Sequence, residues 1–148
     1  MIFRGAGLIL TFLAAISSAQ DLPEAPAKKT VEAVCGACHD LDTAVGMRHD
    51  KVGWQTVVNA MAQRGARASD QEFSAIVEYL AKYFGTVNVN TAAAKELEDV
   101  LEVSSDQSAA IVRYRAANGE FKDLDGLKKV PGLDVKGLED RKDRIAFK

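Results

Sequence analysis

The chain has 148 residues, 47% of them hydrophobic and 27% charged, with a formal net charge of −2. These values exclude a disordered tail, a collagen-like fibre and a multi-span membrane protein, and the length suits one ordinary domain or two very small ones. Two cysteines, Cys35 and Cys38, exclude a disulfide-dense scaffold and a four-cysteine zinc site within one chain, and near-neutral charge argues against a protein whose main work is coating nucleic acid.

In chain order, residues 1–19 combine Arg4, an apolar run from Ala6 to Ile16, and the small residues Ser17, Ser18 and Ala19. That is the anatomy of a secretory signal peptide, too short for a comfortable membrane span. Cleavage is expected near Ala19, and the protein is expected in the periplasm or otherwise exported. Residues 20–27 carry Pro23 and Pro26 among small and acidic residues and read as a linker. Two helical segments follow, 28–86 and 87–148. Residues 20–86 hold nine acidic and seven basic residues, and 87–148 hold twelve and eleven, so neither half is a basic patch.

The helices have legible boundaries. One is expected over Lys29–Cys38. Trp54, Val57, Val58 and Met61 mark one face of a second, with Gly65 near its end. Ser69 and Glu72 form a capping box ahead of Phe73, Ile76, Val77, Leu80, Ala81 and Phe84, a helical period closed by Gly85. Ser104 and Gln107 can form another, opening a helix that stops at Asn118-Gly119. No stretch shows sustained strand alternation, so the fold class expected is all-α.

Cys35-Gly36-Ala37-Cys38-His39 has the C-x-x-C-H pattern of c-type haem attachment. Two thiols at this spacing add across the two haem vinyl groups, and the adjoining histidine reaches the iron from one face. The cofactor expected is one covalent haem c, with His39 as proximal ligand. A thioredoxin-like couple would want an α/β context, and a zinc site would need His49 as a fourth ligand. The distal iron ligand is sought among Met61, Met47 and His49, with Met61 favoured because it shares a helix face with Trp54. A thioether there raises the reduction potential relative to a second histidine.

On the Cys35-Cys38-His39 motif, Trp54 with Met61, Gly65-Ala66, Glu72 and the ending Tyr79 to Gly85, the stretch Val31–Gly85 resembles a small class I periplasmic cytochrome c domain. The resemblance implies that Met61 completes the iron coordination and that the terminal helix, carrying Tyr79, Leu80 and Tyr83, packs against the helix bearing Cys38.

The second half resembles the paired helix-hairpin-helix domain of bacterial competence DNA receptors. The residues that carry the resemblance are Val87 to Ala92, Ala110-Ile111-Val112 with Tyr114-Arg115, Asn118-Gly119 with Phe121, and Val130-Pro131-Gly132-Leu133. Such hairpins hold a phosphate with backbone N–H groups at a glycine-containing turn beside a helix N-terminus. Here Asp134 follows Leu133 where a glycine would ease approach, and Leu101-Glu102-Val103-Ser104-Ser105 has no glycine and one acid. Lys128, Lys129 and Lys136 cluster near the surviving turn.

The expectation is therefore a non-enzymatic, monohaem periplasmic carrier of single electrons that meets redox partner proteins, with residues 87–148 as a protein-docking module. Two alternatives stand beside it: a DNA-binding or DNA-uptake protein with an accessory haem domain, and a five-coordinate haem gas sensor.

Overall fold

The computed structural model describes residues 22–148; the expected signal peptide and its cleavage point near Ala19 lie outside the described residues. Four helices come first: α1 (Lys28–Cys35), α2 (Leu41–Val45), α3 (Lys51–Gln63) and α4 (Asp70–Tyr83). After the short strand β1 (Val87–Asn88) come α5 (Ala94–Leu101), α6 (Ser105–Asn118), α7 (Leu124–Leu127) and α8 (Val135–Asp140). A 3-10 turn (Lys142–Arg144) and β2 (Ile145–Ala146) complete the described chain. The all-α class holds. The β structure among the described residues is a two-residue parallel pairing of β1 with β2, Val87 against Ile145 and Asn88 against Ala146, and a single parallel bridge of His49 with Gly85, all too short to show in a sequence pattern.

Both expected capping boxes form. The Ser69 hydroxyl accepts from Glu72 N–H while the Glu72 carboxylate accepts from Ser69 N–H, and Ser104 and Gln107 repeat the arrangement at α6. Gly119 takes φ +85° just past α6, a conformation a side chain would resist. The first helix ends earlier than the periodicity suggests. It stops at Cys35, so Cys38 and His39 lie in the following turn, where Cys38 N and His39 N both donate to Cys35 O.

Buried apolar side chains form two clusters. The first gathers Val31, Trp54, Val58, Ile76, Val77, Leu80 and Phe84 from α1, α3 and α4. Leu22 joins it, and Pro23 O accepts a hydrogen bond from the Tyr79 hydroxyl at 2.6 Å, so the segment of linker-like composition lies against this core. The second gathers Val87, Val89, Leu97, Leu101, Ile111, Leu127, Val130 and Leu138.

Contacts join the two halves: Thr86 N donates to His49 O at 3.0 Å, and Arg48 Nε lies 2.6 Å from the Asp143 carboxylate. Trp54 Nε1 donates to Phe84 O at 3.2 Å within the first cluster. Within the second cluster the Asn90 amide is a junction. Its nitrogen donates to Phe121 O and Phe147 O, each at 2.9 Å, and its oxygen accepts from Phe121 N at 2.8 Å. Arg115 spans in the same way from α6 to Val89 O and Ala92 O, at 2.6 and 2.7 Å.

Candidate functional site

Two places collect the residues singled out by the sequence. The first is an apolar cavity of about 330 Å³ in the first cluster. The turn after α1 brings Cys35, Cys38 and His39 to its wall, and α3 brings Trp54 and Met61. Met47 and His49, the other ligand candidates, reach it from the segment between α2 and α3. Both cysteines, both histidines, Trp54, Met47 and Met61 thus line one space.

Burial pushes the Cys35 thiol above its ordinary pKa, because an apolar surrounding disfavours the thiolate. Cys38 is exposed. The His49 ring stands edge-on to Trp54, with centroids 5.0 Å apart, and its Nε2 is buried without a hydrogen-bond partner. An orphaned buried nitrogen at a cavity wall is what a bound polar group would satisfy. Among the described residues no group of three or more His, Cys, Asp and Glu side chains is placed to hold a bare metal ion. A largely apolar cavity bordered by two thiols and an imidazole instead fits a large apolar group tethered through sulfur.

The second place is the pair of hairpin loops. The pattern Val100-Leu101-Glu102-Val103-Ser104, running from the end of α5 to the start of α6, repeats as Val130-Pro131-Gly132-Leu133-Asp134 between α7 and α8. The backbones repeat with it. Gly132 has φ +82°, and Glu102 at the equivalent position has φ 53° and ψ 38°, the one left-handed non-glycine residue among those described. A side chain there costs roughly 1 kcal/mol relative to glycine. The absence of glycine from the first loop therefore does not change its path. Gln107 locks the loops together: its Oε1 accepts from Ser104 N in one, and its Nε2 donates to Gly132 O in the other at 3.1 Å.

Charge is distributed differently from the count along the chain. The Glu102 carboxylate, expected to repel a phosphate, is bound by Arg141 Nη2 at 2.7 Å and Arg144 Nη1 at 2.9 Å. The Arg141 hydrogen bond foremost, with Arg144 adding to it against some desolvation, holds its carboxyl below the usual carboxylate range. Lys128 is engaged by Glu139 and Asp125. Lys129 and Lys136, on either side of Gly132, are exposed and take part in none of the ion pairs among the described residues. Sequence reasoning missed Arg141, Arg144 and the second role of Gln107. The repeat of the five-residue loop was the signal that could have directed attention to the residues facing Glu102.

Residues 82–146 match the helix-hairpin-helix motif family. The chain is 37% identical over 62 residues to ComE operon protein 1 of Bacillus subtilis, covering 42% of this chain and 30% of that protein. It is also 37% identical over 62 residues to an uncharacterized protein of Haemophilus influenzae, covering 41% of this chain and 55% of that one. The chain thus spans under a third of one of these relatives and just over half of the other. No solved structure matches it significantly.

These matches correct the expectation of a cytochrome whose work is carrying electrons, with the hairpins as a docking accessory. The family match lies on the hairpin half, and the similarity to ComE operon protein 1 points to the DNA-uptake alternative rather than to an electron carrier. A cytochrome domain, haem iron and electron transfer find no support in them. The physical reason the charge count misleads is that net charge does not tell which charges face outward; pairing within the fold decides it.

Proposed function

We propose that this is an exported, non-enzymatic nucleic-acid-binding protein that holds a phosphate backbone at its paired hairpin loops. The observation that carries the reading is the repeated left-handed loop, Glu102 and Gly132, tied into one unit by Gln107. In such a loop successive N–H groups turn outward near a helix start, where the partial positive charge of the helix favours an anion. Lys129 and Lys136 add free cations beside the Gly132 loop. Contacts of this kind position the backbone without reading its sequence. Similarity to ComE operon protein 1, together with the resemblance to competence DNA receptors, supports DNA as the nucleic acid.

The test is fluorescence anisotropy of a labelled 30-base-pair duplex over a salt series. The expected result is binding at low salt that weakens linearly on a log–log plot, about 0.9 per phosphate contact. Replacing Lys129 and Lys136 together by Gln should flatten that slope by about 1.8. No binding at 20 mM salt would refute the reading.

The cavity in the first cluster is assigned, within the same proposal, to an accessory haem c. Cys35 and Cys38 are its attachment points, His39 its proximal ligand and Met61 its distal ligand. The residues fit on two observations: the apolar cavity, and its shared wall of thiols, imidazole and thioether. Such a group supplies an iron centre whose coordination state the chain sets. The chain's part is to exclude water with Trp54 and the apolar side chains of α3 and α4, and to hold the imidazole and thioether on the cavity wall. Haem staining on a denaturing gel, after production with c-type maturation machinery, tests the attachment. A Cys35→Ala, Cys38→Ala chain that still stains would reject it.

A further inference from the structure

We propose that Arg141 and Arg144 form a phosphate-binding pair, and that Glu102 occupies it in the free protein as an internal anionic latch. The inference rests on the nucleic-acid reading above and adds to it a residue pair and a competitor.

Four observations converge. Glu102 stands at the loop position its twin fills with Gly132, in a backbone conformation that a side chain disfavours. Its two carboxylate oxygens are divided between two guanidiniums, Oε2 to Arg141 and Oε1 to Arg144, an arrangement that phosphate oxygens would equally satisfy. The cluster is at the surface rather than sealed: the side chains of Glu102, Arg141 and Arg144 are 45%, 28% and 18% exposed.

The fourth observation concerns preorganisation. Each arginine is held in place by a backbone carbonyl independent of Glu102. Arg141 Nη1 donates to Gly137 O at 3.1 Å, and Arg144 Nη1 donates to Val100 O at 3.2 Å. Removing the carboxylate therefore leaves two anchored cations beside a hairpin loop, instead of two long side chains free to disperse. A phosphodiester oxygen entering this place exchanges one anion for another on the same donors, so the displaced Glu102 turns to water. The paired loops then act unequally, the Gly132 loop open and the Glu102 loop closed until a backbone phosphate competes for its arginines.

The test uses the full chain and the labelled duplex, comparing wild type with Glu102→Gln and Glu102→Gly. Glu120→Gln, an exposed acid at the far end of α6, controls for the simple loss of one negative charge. Because the bound state makes the same phosphate contacts in each chain, removing the latch should leave the salt slope unchanged and tighten binding at 50 mM salt by about tenfold, as when a closed state no longer has to be opened. Adding Arg141→Gln and Arg144→Gln to Glu102→Gln should cancel the gain. Glycine suits the left-handed position, so Glu102→Gly keeps the experiment decisive if the glutamine variant folds poorly by circular dichroism.

An affinity unchanged from wild type, a gain no larger than that of Glu120→Gln, or a gain that survives loss of both arginines would overturn the latch while leaving the nucleic-acid reading intact. Failure of every variant to bind the duplex at low salt would overturn both.

Discussion

The Asn90 amide offers the most direct test of how the hairpin half is held together. It joins three segments far apart in sequence: the chain after β1, the connection between α6 and α7 at Phe121, and the C-terminal stretch at Phe147. Asn90→Ala deletes three side-chain hydrogen bonds and leaves two carbonyls and one N–H unsatisfied in a half-buried place. At about 1 kcal/mol net per bond, the loss should be about 3 kcal/mol. For a unit of this size 1 kcal/mol shifts Tm by about 4–8 °C, so a fall of roughly 12–24 °C is expected.

Two probes localise the effect. Trp54, the only tryptophan, is buried in the first cluster, whereas circular dichroism at 222 nm follows all the helices. The dichroism transition should move, with the tryptophan transition following it only as far as the two clusters unfold together. Asn90→Asp sharpens the test. It keeps the acceptor for Phe121 N but places a negative oxygen against Phe121 O and Phe147 O, and should destabilise at least as much as alanine. A loss below about 1 kcal/mol for Asn90→Ala, or an Asn90→Asp protein as stable as wild type, would refute the junction.

Three further outcomes are expected. Burial foremost, with Tyr83, Glu24 and Glu32 adding electrostatically, pushes the Tyr79 hydroxyl up to about 12. The folded state therefore keeps this proton when the unfolded state, near 10, has lost it. Its contribution to stability is complete below pH 10 and disappears between pH 10 and 12; Tyr79→Phe should remove that part of the alkaline loss in urea titrations. In the chain without haem, iodoacetamide at pH 7.5 should modify exposed Cys38 before Cys35, whose thiol is held neutral by burial, and peptide mass spectrometry showing the reverse order would contradict the burial argument. Ser104→Ala should cost about 1 kcal/mol in urea unfolding through loss of the α6 cap; it should also weaken duplex binding if Gln107 then releases Gly132.

The elements with local causes were readable in advance. Ser69 with Glu72, and Ser104 with Gln107, cap helices because hydroxyl and carboxyl or amide stand three residues apart, a relation any chain reader sees. Gly119 ends α6 for an equally local reason. The gathering of Cys35, Cys38, His39 and Met61 at one cavity was anticipated in composition but needed the packing of α1, α3 and α4 to become a place. The strand pairing of Val87 with Ile145 joins residues 58 positions apart over two residues, and carries no periodic signal at all.

Electrostatics divided the two levels most sharply. Twelve acids against eleven bases in the second half, and a glutamate in a loop expected to carry glycine, argued from sequence against a phosphate site. The fold reverses the meaning of that glutamate, because Arg141 and Arg144 arrive from 39 and 42 residues away to bind it. Along the chain a charge is only a sign, and its partner is chosen by tertiary contact. Residue types and spacings determined the helices, their caps and the chemistry on offer. Packing alone determined which charges are paired, which hydrogen-bonding groups stay orphaned like His49 Nε2, and therefore where a ligand can be received.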